Sequence, residues 1–129
     1  MTPTTPLPTP RSLRLLQVNF THHPPDLAAA QQAAWERAHA IAAVPGLCWK
    51  IWIYDPDTQM AGGIYLFEDA ASAQNYLDGP IFMGLKQTPG VSQMQVIGCQ
   101  VNVANSAVTR GPLPTAPDHG CLDIAISND

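Results

Sequence analysis

Residues Leu47 to Leu77, LCWKIWIYDPDTQMAGGIYLFEDAASAQNYL, contain two β-patterned runs, a short turn and an immediate helix start. That arrangement constrains the chain more than any other stretch. In the first run Leu47, Trp49, Ile51 and Ile53 alternate with Cys48, Lys50, Trp52 and Tyr54, which assigns them to opposite faces of a strand. Asp55-Pro56-Asp57 has turn chemistry, since proline presets φ and aspartate caps local donors. Gly62 and Gly63 open a return strand through Ile64, Tyr65, Leu66 and Phe67. Glu68-Asp69 then supplies negative charge where a helix begins, ahead of Ala70, Ala71, Ala73, Tyr76 and Leu77.

Around this hairpin the remaining segments fall into order. Residues 1–12 carry prolines at 3, 6, 8 and 10 among threonines and are expected to form an extended arm without a core. Leu13 to Phe20 alternates as a first strand. Thr21 to Asp26, including His22 and His23, reads as a loop ending at the N-cap Asp26. Leu27, Ala30, Ala34, Trp35, Ala38, Ile41 and Ala42 recur at helical spacing, opposite Gln32, Glu36 and His39. Val44-Pro45-Gly46 stops that helix. Beyond Gly79-Pro80 a short helical piece spans Ile81 to Gln87, and Thr88-Pro89-Gly90 turns the chain. Val91 to Val103 is a last β run, longer than the usual strand of about 5–6 residues, so a bend or bulge is expected near Gly98. Residues 114–129 form a tail in which Leu122, Ile124 and Ile126 alternate, compatible with an added edge strand or with disorder.

The order β-α-β-β-α-β over residues 13–113 specifies an α+β, ferredoxin-like fold with a four-stranded antiparallel sheet. Helices cover one face of such a sheet. The other is still apolar, because strand alternation sends Trp49 and Trp52 to opposite sides. Rings that bury ~150–250 Å² each are too costly to leave in water. A homodimer closed through the open sheet face is therefore expected.

Composition narrows the function classes. Charged residues make up 12% of the chain, about half the usual share of roughly 25%. The formal charge is −4 and no Lys/Arg cluster exists, which argues against nucleic acid and anionic membrane partners. No stretch approaches the ~20 apolar residues of a membrane span. Cys48, Cys99 and Cys121 are odd in number and form no C-x-x-C pair, so reduced thiols and a cytoplasmic location are the expectation. Adjacent histidines in extended chain point apart, and neither His39 nor His119 converges on them by spacing, so no metal site is expected.

PGLCWKIW (Pro45 to Trp52), AGGIYLFED (Ala61 to Asp69) and SAQNYLD (Ser72 to Asp78) resemble the YdhR-type monooxygenases of the dimeric α/β-barrel superfamily. LLQVNF (Leu15 to Phe20) and TRGPL (Thr109 to Leu113) are similar to the family's first strand and exit segment. The resemblance implies a homodimeric oxygenase without metal, flavin or other cofactor, oxidising a small aromatic, quinol- or anthrone-like substrate with molecular oxygen.

Such chemistry needs an electron-rich anion in a dry pocket, with polar groups that stabilise it. Trp35, Trp49, Trp52, Tyr65, Phe67 and Tyr76 are the candidate aromatic lining. Asn19, on the strand where related barrel oxygenases also place an asparagine, is the candidate catalytic donor to a substrate oxygen. Lys86 and Arg110 are candidates for stabilising negative charge. Lys50 has two readings, a pocket group or a side chain that snorkels to the sheet edge. No residue stands out as the base, since His22 and His23 read as loop and His39 as helix surface. Two rivals have different sequence requirements. Haem degradation would need a histidine near the second helix, and none lies between His39 and His119. A non-catalytic homodimer that binds small aromatic ligands shares every feature, and only turnover separates it from an enzyme.

Overall fold

The computed structural model describes residues 12–114. They form β1 (Arg14–His22), α1 (Leu27–Ala42), β2 (Leu47–Asp55), β3 (Met60–Phe67), α2 (Ala70–Asp78), α3 (Pro80–Lys86), β4 (Val91–Gln100) and α4 (Val103–Val108). The strands make one antiparallel sheet in the order β2-β3-β1-β4, the ferredoxin-like arrangement.

Local chemistry sets the element boundaries. The Asp26 carboxylate accepts from the Ala29 N–H and starts α1, and Asp69 accepts from Ser72 to start α2. Pro80 opens α3, where its missing N–H costs nothing. In the hairpin turn Asp55 accepts from the Asp57 N–H, and Gln59 closes the turn in the left-handed region at φ 58°.

One sheet face is covered by α1, α2 and α3. Leu16, Val18 and Phe20 from β1 and Tyr65 and Phe67 from β3 meet Ile41, Ala73, Tyr76, Phe82 and Leu85 there, all buried. The other face carries Trp49, Ile51, Ile64 and Ile97, of which Ile51 and Ile97 are more than half exposed. Trp49 is not bare, because its indole N–H donates to the Pro112 carbonyl oxygen at 2.8 Å.

Several expectations need correction. Leu47 does not share a face with Trp49: it pairs with Phe67, whereas Trp49 pairs with Leu66, so one extra residue at Cys48 switches the alternation. β1 runs on to His22, which belongs to a strand and not to a loop. The irregularity in β4 falls at Gln93 (φ 55°), opposite the step from Asn19 to Thr21. Gly98 instead pairs in register with Leu16. The last β run ends at Gln100, and Asn102 caps α4 through the Asn105 N–H, a helix that residue patterns did not suggest. Leu27 and Trp35 of α1 face solvent, at 59% and 65% exposed. Cys99 is free, but Cys48 is disulfide-bonded, against the expectation of reduced thiols. The proline-rich arm up to Arg11 and the alternation of Leu122, Ile124 and Ile126 lie outside the described residues. Among the described residues no helix is long and apolar enough to cross a membrane.

Gly62 holds the hairpin close to β1. Its φ is 156°, and a Cβ there would collide with the Val18 carbonyl oxygen. Since both backbones are fixed by pairing, Gly62→Ala is expected to destabilise the protein by about 2–3 kcal/mol, measured by denaturant unfolding.

Candidate functional site

A cavity of about 460 Å³ lies between α1 and the sheet, within the range of small-molecule sites. Its origin is the small side chains on the inner side of α1. Ala30, Ala33 and Ala34 line one wall, and Phe20, Trp52 and Tyr54 line the sheet side. Alanines cannot reach the sheet across a helix–sheet spacing set elsewhere by Ile41 and Leu85, so space is left over.

Into this apolar space project cations. Lys50 and Arg37 both line it, from β2 and α1, and neither forms an ion pair among the described residues. The Lys50 Nζ sits 3.4 Å from the Trp52 ring centroid and 4.5 Å from that of Tyr65. Such contacts stabilise an ammonium only partly when water is excluded. Burial, with the Arg37 charge adding to it, lowers the Lys50 pKa to about 7. The aliphatic part of Lys50 occupies the place of a side chain on Gly63, where a Cβ would collide with Cε.

His22 lines the same cavity at the end of β1. Burial lowers its pKa, and the charges of Arg37 and His23 lower it further, so its imidazole is held neutral. Its Nε2 is buried without a hydrogen-bond partner. Beneath Lys50, the Tyr65 and Tyr76 hydroxyls are 2.9 Å apart. Burial raises both phenols above their ordinary range, so both remain protonated.

The residues singled out from the sequence are divided by this geometry. Trp52 lines the cavity, and Tyr65 adjoins it through Lys50. Tyr65, Phe67 and Tyr76 stack and tilt against one another in the core, with Tyr76 against Phe82 as well. Asn19 and Trp49 point to the opposite sheet face, where the Asn19 Oδ1 is buried without a partner. Trp35 is on the outside of α1 with its ring against His39. Lys86 ends α3, exposed, with Nζ 5.6 Å from the Phe82 ring. Arg110 follows α4, exposed, in the left-handed region at φ 66°. The structure therefore does not bring Asn19, Lys86 and Arg110 into the cavity with Trp52.

Residue patterns had assigned no site role to Arg37 or His22. Arg37 follows Ala30 and Ala34 by seven and three positions, which places it on the same stripe of α1. Lys50 was legible in part, as a lone cation sharing a strand face with Trp52 and Tyr54. A second groove of about 400 Å³ lies beside α2, with Arg14 as its titratable group. It lacks an aromatic lining, so chemistry favours the cavity under α1. Among the described residues no cluster of three or more His, Cys, Asp or Glu is placed to hold a metal.

Comparison with known proteins extends this picture. The family model described as "Putative mono-oxygenase ydhR" matches residues 15–112. No curated protein matches the sequence. Among solved structures, a point mutant of SnoaB of Streptomyces nogalater, described as a cofactor-independent oxygenase, is similar with a TM-score of 0.57 at 16% identity. The alignment covers 70% of this chain and 94% of SnoaB. NE2512 of Nitrosomonas europaea, of unknown function, gives 0.58 at 17% identity over 73% of this chain and 93% of its own. A Deinococcus radiodurans protein described as a "putative antibiotic biosynthesis monooxygenase" gives 0.57 at 12%, over 69% and 92%. At these identities the three share the fold.

The lowered Lys50 pKa has a measurable consequence for stability. Between about 7 and the ordinary lysine value of 10.5 the unfolded chain binds a proton that the folded chain does not. The Lys50 contribution to unfolding free energy therefore rises with pH across that window. Equilibrium unfolding of Lys50→Met is expected to lose this rise, while the wild type keeps it.

Proposed function

From its membership of the ydhR mono-oxygenase family, to which this chain belongs, we propose that the protein oxidises a small aromatic substrate with molecular oxygen in the cavity beneath α1. A quinol- or anthrone-like compound fits this reading. For an anthrone-like substrate, a methylene flanked by rings reacts with one O₂ to give a carbonyl and one water. Both electron pairs come from substrate bonds, so the balance needs no external reductant, metal or flavin.

The observation that carries the proposal is the cavity itself, a largely apolar space with aromatic and aliphatic walls, lined by the Arg37 guanidinium and the Lys50 amine. Donation of an electron to oxygen is easiest from an anion, and fixed positive charge in a medium of low polarity stabilises one. Trp52 offers a flat surface for a substrate ring. The likeness to a cofactor-independent oxygenase supports the same reading at the level of fold.

The same reading includes a homodimer closed through the open sheet face. Ile51 and Ile97 on that face, and Met60 at its end, are 52%, 53% and 38% exposed, apolar side chains of the kind that partners cover.

Two measurements test the proposal. Oxygen-electrode assays across a set of anthrones and hydroquinones are expected to show uptake with at least one compound. Trp52→Ala is expected to lower kcat/KM about tenfold, the equivalent of roughly 1.4 kcal/mol of lost ring contact. No uptake with any member, alongside ligand-induced thermal stabilisation, would identify a binder instead. In sedimentation, the wild type is expected to run as a dimer and Ile51→Glu as a monomer, because a charge on that face would be buried unpaired in the dimer.

A further inference from the structure

The oxygenase reading leaves open which group generates the substrate anion and which substrates can supply one. We propose that the Lys50 amine is the proton acceptor of the cavity, taking the hydroxyl proton of a bound hydroxy-aromatic and leaving a phenolate that Arg37 stabilises. The proposal rests on the oxygenase reading only for what the anion does next. In the step itself the O–H bond breaks, an N–H bond forms on Nζ, and the phenolate keeps the electron pair.

Three features of the geometry support this. Lys50 lines the cavity while its Nζ lies over the faces of Trp52 and Tyr65, with no carboxylate ion-paired to it among the described residues. Nothing therefore holds it permanently as an ammonium, yet both rings are placed to stabilise the ammonium once it forms. Arg37 enters from α1 and stays charged throughout. The absence of a side chain on Gly63 makes room for the Lys50 chain in this position.

The surrounding groups leave the role to Lys50. From β1, His22 is the weaker acceptor, because burial and the charges of Arg37 and His23 lower the proton affinity of its imidazole. From α1, the Asp26 carboxylate is engaged in capping its own helix. From β3, Tyr65 keeps its proton because burial raises its pKa, and Tyr54 on β2 also lines the cavity. An amine that is half-protonated near neutral pH is matched to a proton transfer at that pH. The match also selects substrate. A carboxylic acid arrives already ionised and has no need of a base, whereas a phenol or naphthol depends on one.

The test uses 2-naphthol, whose anion has its own absorbance and fluorescence, and 2-methoxynaphthalene, which cannot ionise. At a pH where free 2-naphthol is neutral and Lys50 unprotonated, the wild-type protein is expected to bind the probe as naphtholate. Calorimetry in buffers of different ionisation enthalpy is expected to show no proton released, since the acceptor lies inside the complex. In Lys50→Met, with folding verified by circular dichroism, the naphtholate fraction is expected to fall at least about tenfold. Should that variant not fold, the wild-type spectra and proton count decide alone. Failure of 2-naphthol to bind, neutral naphthol bound to the wild type, release of one proton per site to buffer, or an unchanged naphtholate fraction in folded Lys50→Met would each overturn the proposal. Naphtholate formed by Lys50 in a protein that takes up no oxygen with any substrate would instead remove the oxygenase reading and leave this one standing.

Discussion

Gly63 has no side chain, and the aliphatic part of Lys50 lies where one would be. That single packing relation fixes where the charge of the cavity can sit. With its stem laid over Gly63, Lys50 places its terminal nitrogen near the Trp52 and Tyr65 rings, and burial together with the Arg37 charge lowers its pKa. Had β3 carried a valine at this position, as central strands commonly do, the lysine would have been displaced and the cavity part-filled. The paired glycines thus serve two different ends. Gly62 lets two backbones approach, and Gly63 lets a long side chain lie down.

Much of the fold could be read from residue patterns, and the places where the reading failed share a cause. Alternation in LLQVNF and IYLF, the caps Asp26 and Asp69, and the stop at Val44-Pro45-Gly46 act within a few residues, so their consequences are visible locally. The extra residue at Cys48 and the shift at Gln93 arise from how neighbouring strands register, which no single strand encodes. Trp35 shows the same limit in α1. Helical spacing placed it with Ala34 and Ala38, but it lies toward the edge of that stripe, and a large ring there turns outward once Arg37 and Ile41 face the sheet.

For the candidate site the division is sharper. Aromatic residues were the visible signal, yet half of those candidates, Tyr65, Phe67 and Tyr76, form the core stack and hold the sheet to α2. The cavity owes its existence to residues that draw little notice, the alanines of α1, which read as core because they are apolar. Alanine buries little and fills little, and a row of it against a sheet leaves volume. Its chemistry comes from cations that composition assigns to the surface. Neither the emptiness nor the desolvation of Lys50 follows from spacing alone, because both depend on what stands opposite.

The bond from Trp49 to the Pro112 carbonyl oxygen determines where the chain leaves the domain. After α4 the backbone returns across β2 on the side away from the helices, and one strip of that surface is already occupied by the protein's own exit. Any second sheet laid there meets a ridge and not a plane. Were two copies to pair through this face, their ridges would have to lie side by side or interleave, which would narrow the permitted crossing angles and bring the stretch around Pro112 into the contact.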